Sequence, residues 1–331
     1  MTRGAGTPPT SLPRPAPLFV WNWPGATVAV LAALPAAYVA LDDVPRAAAL
    51  AVGILPAAAI GINPERRKRI VLLAAGPLIG LPLVAGAAIA GSPALATVCL
   101  CLLAALGGRL ASAKPAALLG GLLTVLVIPM VAIGLSFDDA GSALRIAGLF
   151  VIASILVWLG SLAIPGGAPI PRPPAEVFPD YWWILVAVVA TVTSSIGFAL
   201  HLDHVGWACG AALLVLRPNA DLQCWRTLGR FVSVVCGAAL ATLLVWAHTP
   251  NVLYALLIPV IVAVAAGTVG SRFYILPLFT TFFVILLLGH ADADTAQARL
   301  NERVGETLLG LAVAAIVGIG VPALLRYRSR A

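Results

Sequence analysis

Residues 63–84 read NPERRKRIVLLAAGPLIGLPLV: four basic residues in succession run straight into a long apolar segment that carries Gly76. Residues 217–244, RPNADLQCWRTLGRFVSVVCGAALATLL, repeat the arrangement, and Arg230 stands to Gly237 as Arg69 stands to Gly76. A basic loop feeding an apolar helix marks a cytoplasmic membrane boundary. Finding it twice, after the second apolar stretch of each half, points to a duplicated membrane protein.

Around these two segments, the first half holds apolar stretches at 26–41, 47–62, 70–90, 93–106, 116–135 and 143–164. The second holds 181–202, 205–216, 231–247, 252–266, 273–288 and 304–325. Unbroken apolar runs without alternating polar residues indicate helices rather than barrel strands, since a helix satisfies every backbone group within its own segment. Several runs fall short of the roughly 20 residues that cross a ~30 Å hydrocarbon core, and these are expected to merge, tilt or stop partway. Further anchors match across the halves: Arg109 with Pro115 answers Arg272 with Pro277, and Arg145 answers Arg303. The expected fold is therefore an all-α integral membrane protein of about twelve transmembrane helices in two parallel six-helix repeats. A repeat with an even number of crossings keeps its orientation, so a pseudo-two-fold axis would run along the membrane normal, with a binding path between the halves. The expected division is an N-terminal tail (1–25), a first membrane half (26–164), a proline-rich linker (165–180), a second membrane half (181–325) and a basic tail (326–331).

Composition fixes the solvent. A chain of 331 residues that is 61% hydrophobic and 10% charged, with mean hydropathy +1.03, has more apolar surface than one aqueous core hides, so lipid covers much of it. With the N-terminus inside, sixteen of the twenty basic residues fall on the inner side, leaving Arg46, Arg145, Arg299 and Arg303 outside. That asymmetry follows the positive-inside rule and places both termini in the cytoplasm. The net charge of +7 is then a sidedness signal and an attraction to anionic lipid, and calls for no nucleic acid. Trp21, Trp23, Trp182 and Trp183 are expected as interfacial anchors. The five cysteines lie in or beside apolar stretches without a CxxC pair, as reduced packing residues do. Residues 1–20 lack the charged start and apolar core of a cleaved signal peptide, so the first membrane segment is expected to do the targeting. The absence of a GxxxxGK[ST] run, an HExxH motif or a nucleophile elbow argues against an enzyme and against self-powering by ATP, and no cofactor is implied.

The second half also carries a resemblance. The runs WACGAALLVLRPNADLQCWRTLGRFVSVVCGAALATLL (207–244), SRFYILPLFTTFFVILLL (271–288) and RLNERVGETLLGLAVAAIVG (299–318) resemble the membrane domain of the fusaric acid resistance (FUSC) family. Its members are also called aromatic acid exporters or integral membrane bound transporters, and the plant aluminium-activated malate transporters resemble the domain more distantly. The resemblance is clearest over 181–325. Many family members carry a large cytoplasmic domain between the halves, where this chain has only the short linker. The resemblance implies ion-gradient-driven efflux of small organic, aromatic acids across a bacterial inner membrane. Alternatives are a passive anion channel, and a non-transporting membrane scaffold or assembly partner. The partners implied are the bilayer, a small organic anion, and a second copy of the chain or an accessory export subunit.

For an organic anion the useful groups are forked guanidiniums and helix N-termini. Arg226 and Arg230, four apart, project on one helical face with Arg69 as the matching charge of the first half; they are either substrate contacts or snorkelling anchors. Thr193 and Ser194 sit in a small polar run of the seventh stretch, suited to close helix packing or substrate contact. Arg299, Glu302, Arg303 and Glu306 form a stripe at helical spacing before the last apolar run. They are either an exposed first turn laced by ion pairs or a proton or substrate relay with Glu306 partnered by Arg303. His201 and His204, with Asp203 between, would sense an acidic exterior or pass protons, or else form a solvated loop; too few convergent ligands are present for a metal. Unusually short stretches at equivalent places, the second with the eighth and the fourth with the tenth, point towards a site.

Overall fold

A computed structural model of the chain describes residues 19–165, 178–271 and 275–322. Residues 1–18, most of the linker, Arg272 and the basic tail lie outside the described residues. Among the described residues all regular structure is helical. Eight helices are long and apolar enough to cross a membrane: α1 (Trp23–Ala40), α3 (Arg66–Ile89), α4 (Pro93–Ser112), α5 (Ala117–Gly134), α6 (Ala140–Leu162), α7 (Trp182–Ala199), α9 (Ala220–Trp246) and α12 (Ala293–Gly320). Four shorter apolar helices lie between them: α2 (Val44–Ile60), α8 (Val205–Val215), α10 (Asn251–Gly267) and α11 (Ile275–Gly289).

Caps set the boundaries. Asn22, Asp43, Ser92, Asp139, Asn219 and Asp292 each accept the backbone N–H three residues on, satisfying a donor that the first helical turn leaves open. Two of these caps move helix starts well ahead of the apolar runs. Asn219 starts α9 before residue 231, and Asp292 starts α12 before residue 304, so the polar residues 293–303 are helical. The fourth helix also outruns its apolar stretch and reaches 20 residues, so it is not one of the short segments. Two π-helical turns interrupt the regular pattern, at Leu123–Val127 in α5 and Ile316–Gly320 in α12.

The helices pack reciprocally. α1 lies along α10 and α7 along α4; α2 packs on α11 and α8 on α5; α2 pairs with α6 and α8 with α12. Thus α4 and α5 sit against α7 and α8, and α10 and α11 against α1 and α2. Accordingly, one apolar core joins α1 and α2 to α10 and α11, and a second joins α4 and α5 to α7 and α8. Neither core belongs to one half alone. The chain leading into α1 is tied to the end of α10 by Asn22 N–H donating to the Gly267 carbonyl (2.7 Å), and Ser112 Oγ at the end of α4 donates to the Pro179 carbonyl ahead of α7 (2.9 Å). Trp23 is exposed, as an interfacial anchor would be, but Trp182 is 1% exposed and belongs to the second core. The close α4–α7 contact draws it inward.

The α1–α2, α9–α10 and α11–α12 turns gather at one end of the bundle, the distal end, where Asn251 Nδ2 donates to the Leu41 carbonyl (2.9 Å). The α7–α8 turn opens towards that end from deeper in the bundle, and there Arg299 reaches Asp203 (3.2 Å). Helix α8 is too short to cross a bilayer. Its 11 residues span only about 16 Å at 1.5 Å per residue, half a hydrocarbon core, and nearly all are buried. Small residues let it sink between neighbours: a Cβ on Gly206 would lie 1.7 Å from the Ala132 carbonyl oxygen of α5, and one on Gly310 of α12 would lie 2.2 Å from the Ala208 carbonyl oxygen. The α7–α8 turn is therefore set down beside the middle of the much longer α12.

Candidate functional site

That placement brings the α7–α8 turn to the charged stripe of α12. Glu306 lies thirteen residues past Ala293, about 20 Å along the helix, and its Oε1 accepts the backbone N–H of His204 at the start of α8 (3.3 Å). His204 Nδ1 stands 3.3 Å from Glu302 Oε2. Arg299 closes the rim, donating to Glu302 Oε2 (2.7 Å) and Asp203 Oδ2 (3.2 Å). The stripe is consequently not an exposed first turn: it falls in the second to fourth turns of α12, with Arg303 and Glu306 buried.

Trp207, one turn into α8, joins the two elements. The His204 imidazole stacks on its indole, 4.0 Å between centroids at 19°, and the Arg303 guanidinium carbon lies 4.3 Å from the ring centroid. On α9, which packs on both α8 and α12, Arg230 is buried and within electrostatic reach of Arg303. Arg230, Arg303 and Glu306 are 6%, 7% and 3% exposed. Arg230 Nε, Arg303 Nε and Glu306 Oε2 have no hydrogen-bond partner among the described residues. A shallow recess of about 390 Å³ opens above Glu306, lined by His201, Asp203, Glu302, Gly305 and Leu309 among others. At this rim burial pushes the His204 imidazole down to about 4, assisted by the nearby Arg299 charge, so it is neutral at ordinary pH.

The other sequence candidates are placed differently. Arg69 is fully buried, but its donors are taken: Nε donates to the Asn63 carbonyl (2.8 Å), and Nη1 to the carbonyls of Ser161 and, at 2.9 Å, Ile164. It closes the C-terminal end of α6, where unsatisfied carbonyls favour a cation. Arg226 is half-buried one turn before Arg230 and has contacts of its own. Thr193 and Ser194 are buried and donate to carbonyls of their own helix, at 2.7 Å to Val189 and 2.8 Å to Ala190. His201 is exposed and has φ 51, ending α7 in the left-handed conformation that commonly closes helices.

Two participants are not legible in the sequence. Trp207 stands three residues after His204, at the spacing that stacks side chains on one helical face, but it begins a run of small apolar residues that reads as packing. Gln223 is fully buried and donates to the Ala314 carbonyl beside the π-helical turn (2.6 Å); its isolation among charged neighbours disguises it. The cluster is not duplicated in the sequence: aligning Arg145 with Arg303 puts Leu144 and Gly148 where Glu302 and Glu306 stand.

No curated protein and no solved structure matches this chain. Residues 189–317, which carry α8, α9 and the whole charged cluster, match the family described as fusaric acid resistance protein-like, and over those residues the resemblance read from the sequence is shown.

Proposed function

We propose that this chain is a multi-pass transporter of a bacterial inner membrane that expels small organic acids, aromatic acids among them, using an ion gradient. The observation that carries the proposal is the buried group of Arg230, Arg303 and Glu306 on α9 and α12, two helices long enough to span a membrane, in the stretch that resembles the family. An ionisable side chain at the bilayer centre costs about 3 kcal/mol or more, and such groups persist where they serve a path or a relay. Glu306 at the foot of the distal recess is the coupling group in this reading, and Arg230 with Arg303 holds the cargo. The reciprocal pairing of α1 with α10 and of α7 with α4 supports two parallel six-helix halves, with the distal end outside. The enzyme reading is set aside, and no cofactor is invoked.

Flux of a radiolabelled aromatic acid in proteoliposomes tests this. Movement that requires a pH gradient supports the exporter; gradient-independent anion current replaces it with a channel; silence under both conditions leaves a scaffold.

A further inference from the structure

We propose that a second recess, at the distal end between the α9–α10 and α11–α12 turns, binds a small primary organic ammonium ion whose N–H groups are accepted by the Tyr254 hydroxyl and by His290 Nδ1. The site shares no residue with the charged cluster of α8, α9 and α12 and does not depend on what that cluster carries.

The recess encloses about 330 Å³ and is lined by Val245, Thr249, Asn251, Tyr254, His290 and Asp292 among others, at the small end of the range for ligand sites. Tyr254 and His290 meet edge to face in its wall, 5.0 Å between ring centroids at 89°. Tyr254 is 1% exposed. Its hydroxyl and His290 Nδ1 are both buried and make no hydrogen bond among the described residues. A buried polar atom left unpaired is costly and rare, and here two of them belong to paired rings in the wall of one recess. Each can accept. The tyrosine oxygen carries lone pairs beside its proton. Burial holds the His290 imidazole below its usual range, against the pull of Asp43, so at pH 7.5 the ring is neutral and one nitrogen offers a lone pair.

Charge selects the occupant. The Asn251 bond to the Leu41 carbonyl (2.9 Å) brings the α1–α2 turn alongside. The three turns that meet here, residues 41–43, 247–250 and 290–292, hold Asp42, Asp43 and Asp292 and no Lys or Arg. Arg46, in the first turn of α2, stands 3.4 Å from Asp43, which still leaves carboxylates in excess. Each turn joins the C-terminus of one helix to the N-terminus of the next, so the helix dipoles largely cancel. A cation is therefore favoured over an anion. A bare metal ion is poorly served, because no group of three or more His, Cys, Asp or Glu side chains among the described residues is placed to hold one. An ammonium ion instead brings its own N–H donors to the two acceptors, and its alkyl part has Val245 and the aromatic pair beside it.

The test uses the full chain in phosphatidylcholine nanodiscs and three probes of similar size: propylammonium, propanol and propionate. Saturation-transfer NMR titration at pH 7.5 should give propylammonium at least tenfold tighter binding than either of the others, and equimolar sodium should not displace it. Tyr254→Phe and His290→Phe each keep an aromatic ring while removing one acceptor, and each should weaken propylammonium at least fivefold, with the melting temperature showing that the variant is folded. Propanol or propionate binding as tightly as propylammonium overturns the inference, as does binding of none of the three. Displacement by sodium would reduce the recess to diffuse negative charge and overturns it too. So does unchanged propylammonium affinity in either folded variant; should one variant fail to fold, the other decides.

Discussion

The Arg303 guanidinium lies 4.3 Å from the centre of the Trp207 ring while the His204 imidazole stacks on the same indole at 4.0 Å. Through this one side chain α8 positions a charge that belongs to α12. A desolvated cation over an indole is stabilised by about 1–2 kcal/mol, so losing the ring should displace Arg303 rather than unfold the helices. Trp207→Leu is expected to raise the concentration for half-maximal flux about tenfold at unchanged membrane abundance, while Trp207→Phe retains most of the affinity. Concentration-dependent flux with quantitative immunoblotting measures both, and indistinguishable Leu and Phe variants would refute the platform.

Arg69 and Arg230 each stand seven residues before a glycine at the end of a basic loop, and they should respond in opposite ways. Arg69 closes the end of α6, and hydrogen bonds from a charged donor contribute about 1.5–3 kcal/mol each. Arg69→Gln should therefore lower the melting temperature and abundance, with flux per folded molecule preserved. Arg230 is buried with its Nε unpaired among the described residues, and a buried charge without a partner costs stability rather than adding it. Arg230→Met should melt at the same or a higher temperature yet lose at least tenfold in flux. A fall in stability for Arg230→Met equal to that of Arg69→Gln would make both residues anchors.

This contrast also marks where the sequence stops being readable. Apolar runs, basic loops and the Arg–Gly spacing locate the helices because lipid and charge act on each segment locally. They do not say which partners an arginine finds, because Ser161 and Ile164 lie some ninety residues from Arg69. The same holds for the exchange of α4 and α5 between halves, which depends on backbone contacts at Gly108 and Gly206 that hydropathy cannot register. The start of α12 is hidden for a local reason: a polar helical turn capped by Asp292 looks like a loop to any hydropathy window. Within the charged stripe, spacing alone brings Glu302, Arg303 and Glu306 onto one face, but their burial comes from the short α8, whose own sequence gives no hint of depth.

His204 should make the protein acid-sensitive. Its imidazole is pushed down to about 4 by burial, with Arg299 adding to the effect, against about 6.5 in an unfolded chain. Between those values the unfolded chain binds the extra proton, so stability falls as pH falls from about 6.5, and the loss is complete below about 4. The cost is on the order of 3 kcal/mol. Melting curves of the detergent-purified protein from pH 7.5 to 4.5 should decline, and His204→Gln should flatten that decline; identical slopes in the two proteins would place the sensitivity elsewhere.

Gly206 should be the least replaceable residue of α8. An added Cβ would lie 1.7 Å from the Ala132 carbonyl oxygen and 2.6 Å from the Ile133 backbone nitrogen. Both obstacles are main-chain atoms, so no rotamer change relieves the clash and α8 must move off α5. Overpacking of this kind costs about 1–3 kcal/mol or more, and here it would also shift the adjoining Trp207 and the His204 N–H that Glu306 accepts. Gly206→Ala is thus expected to lower both the abundance of folded protein and the flux of what remains. Ala132→Gly should not rescue it, because the obstructing oxygen stays in place. Gly305→Ala is the control, since nothing lies within 4 Å of a Cβ there and alanine favours a helix interior by about 1 kcal/mol. Normal abundance and melting temperature for Gly206→Ala would show that α8 is not held against α5, and with it would go the reason the α7–α8 turn reaches the middle of α12.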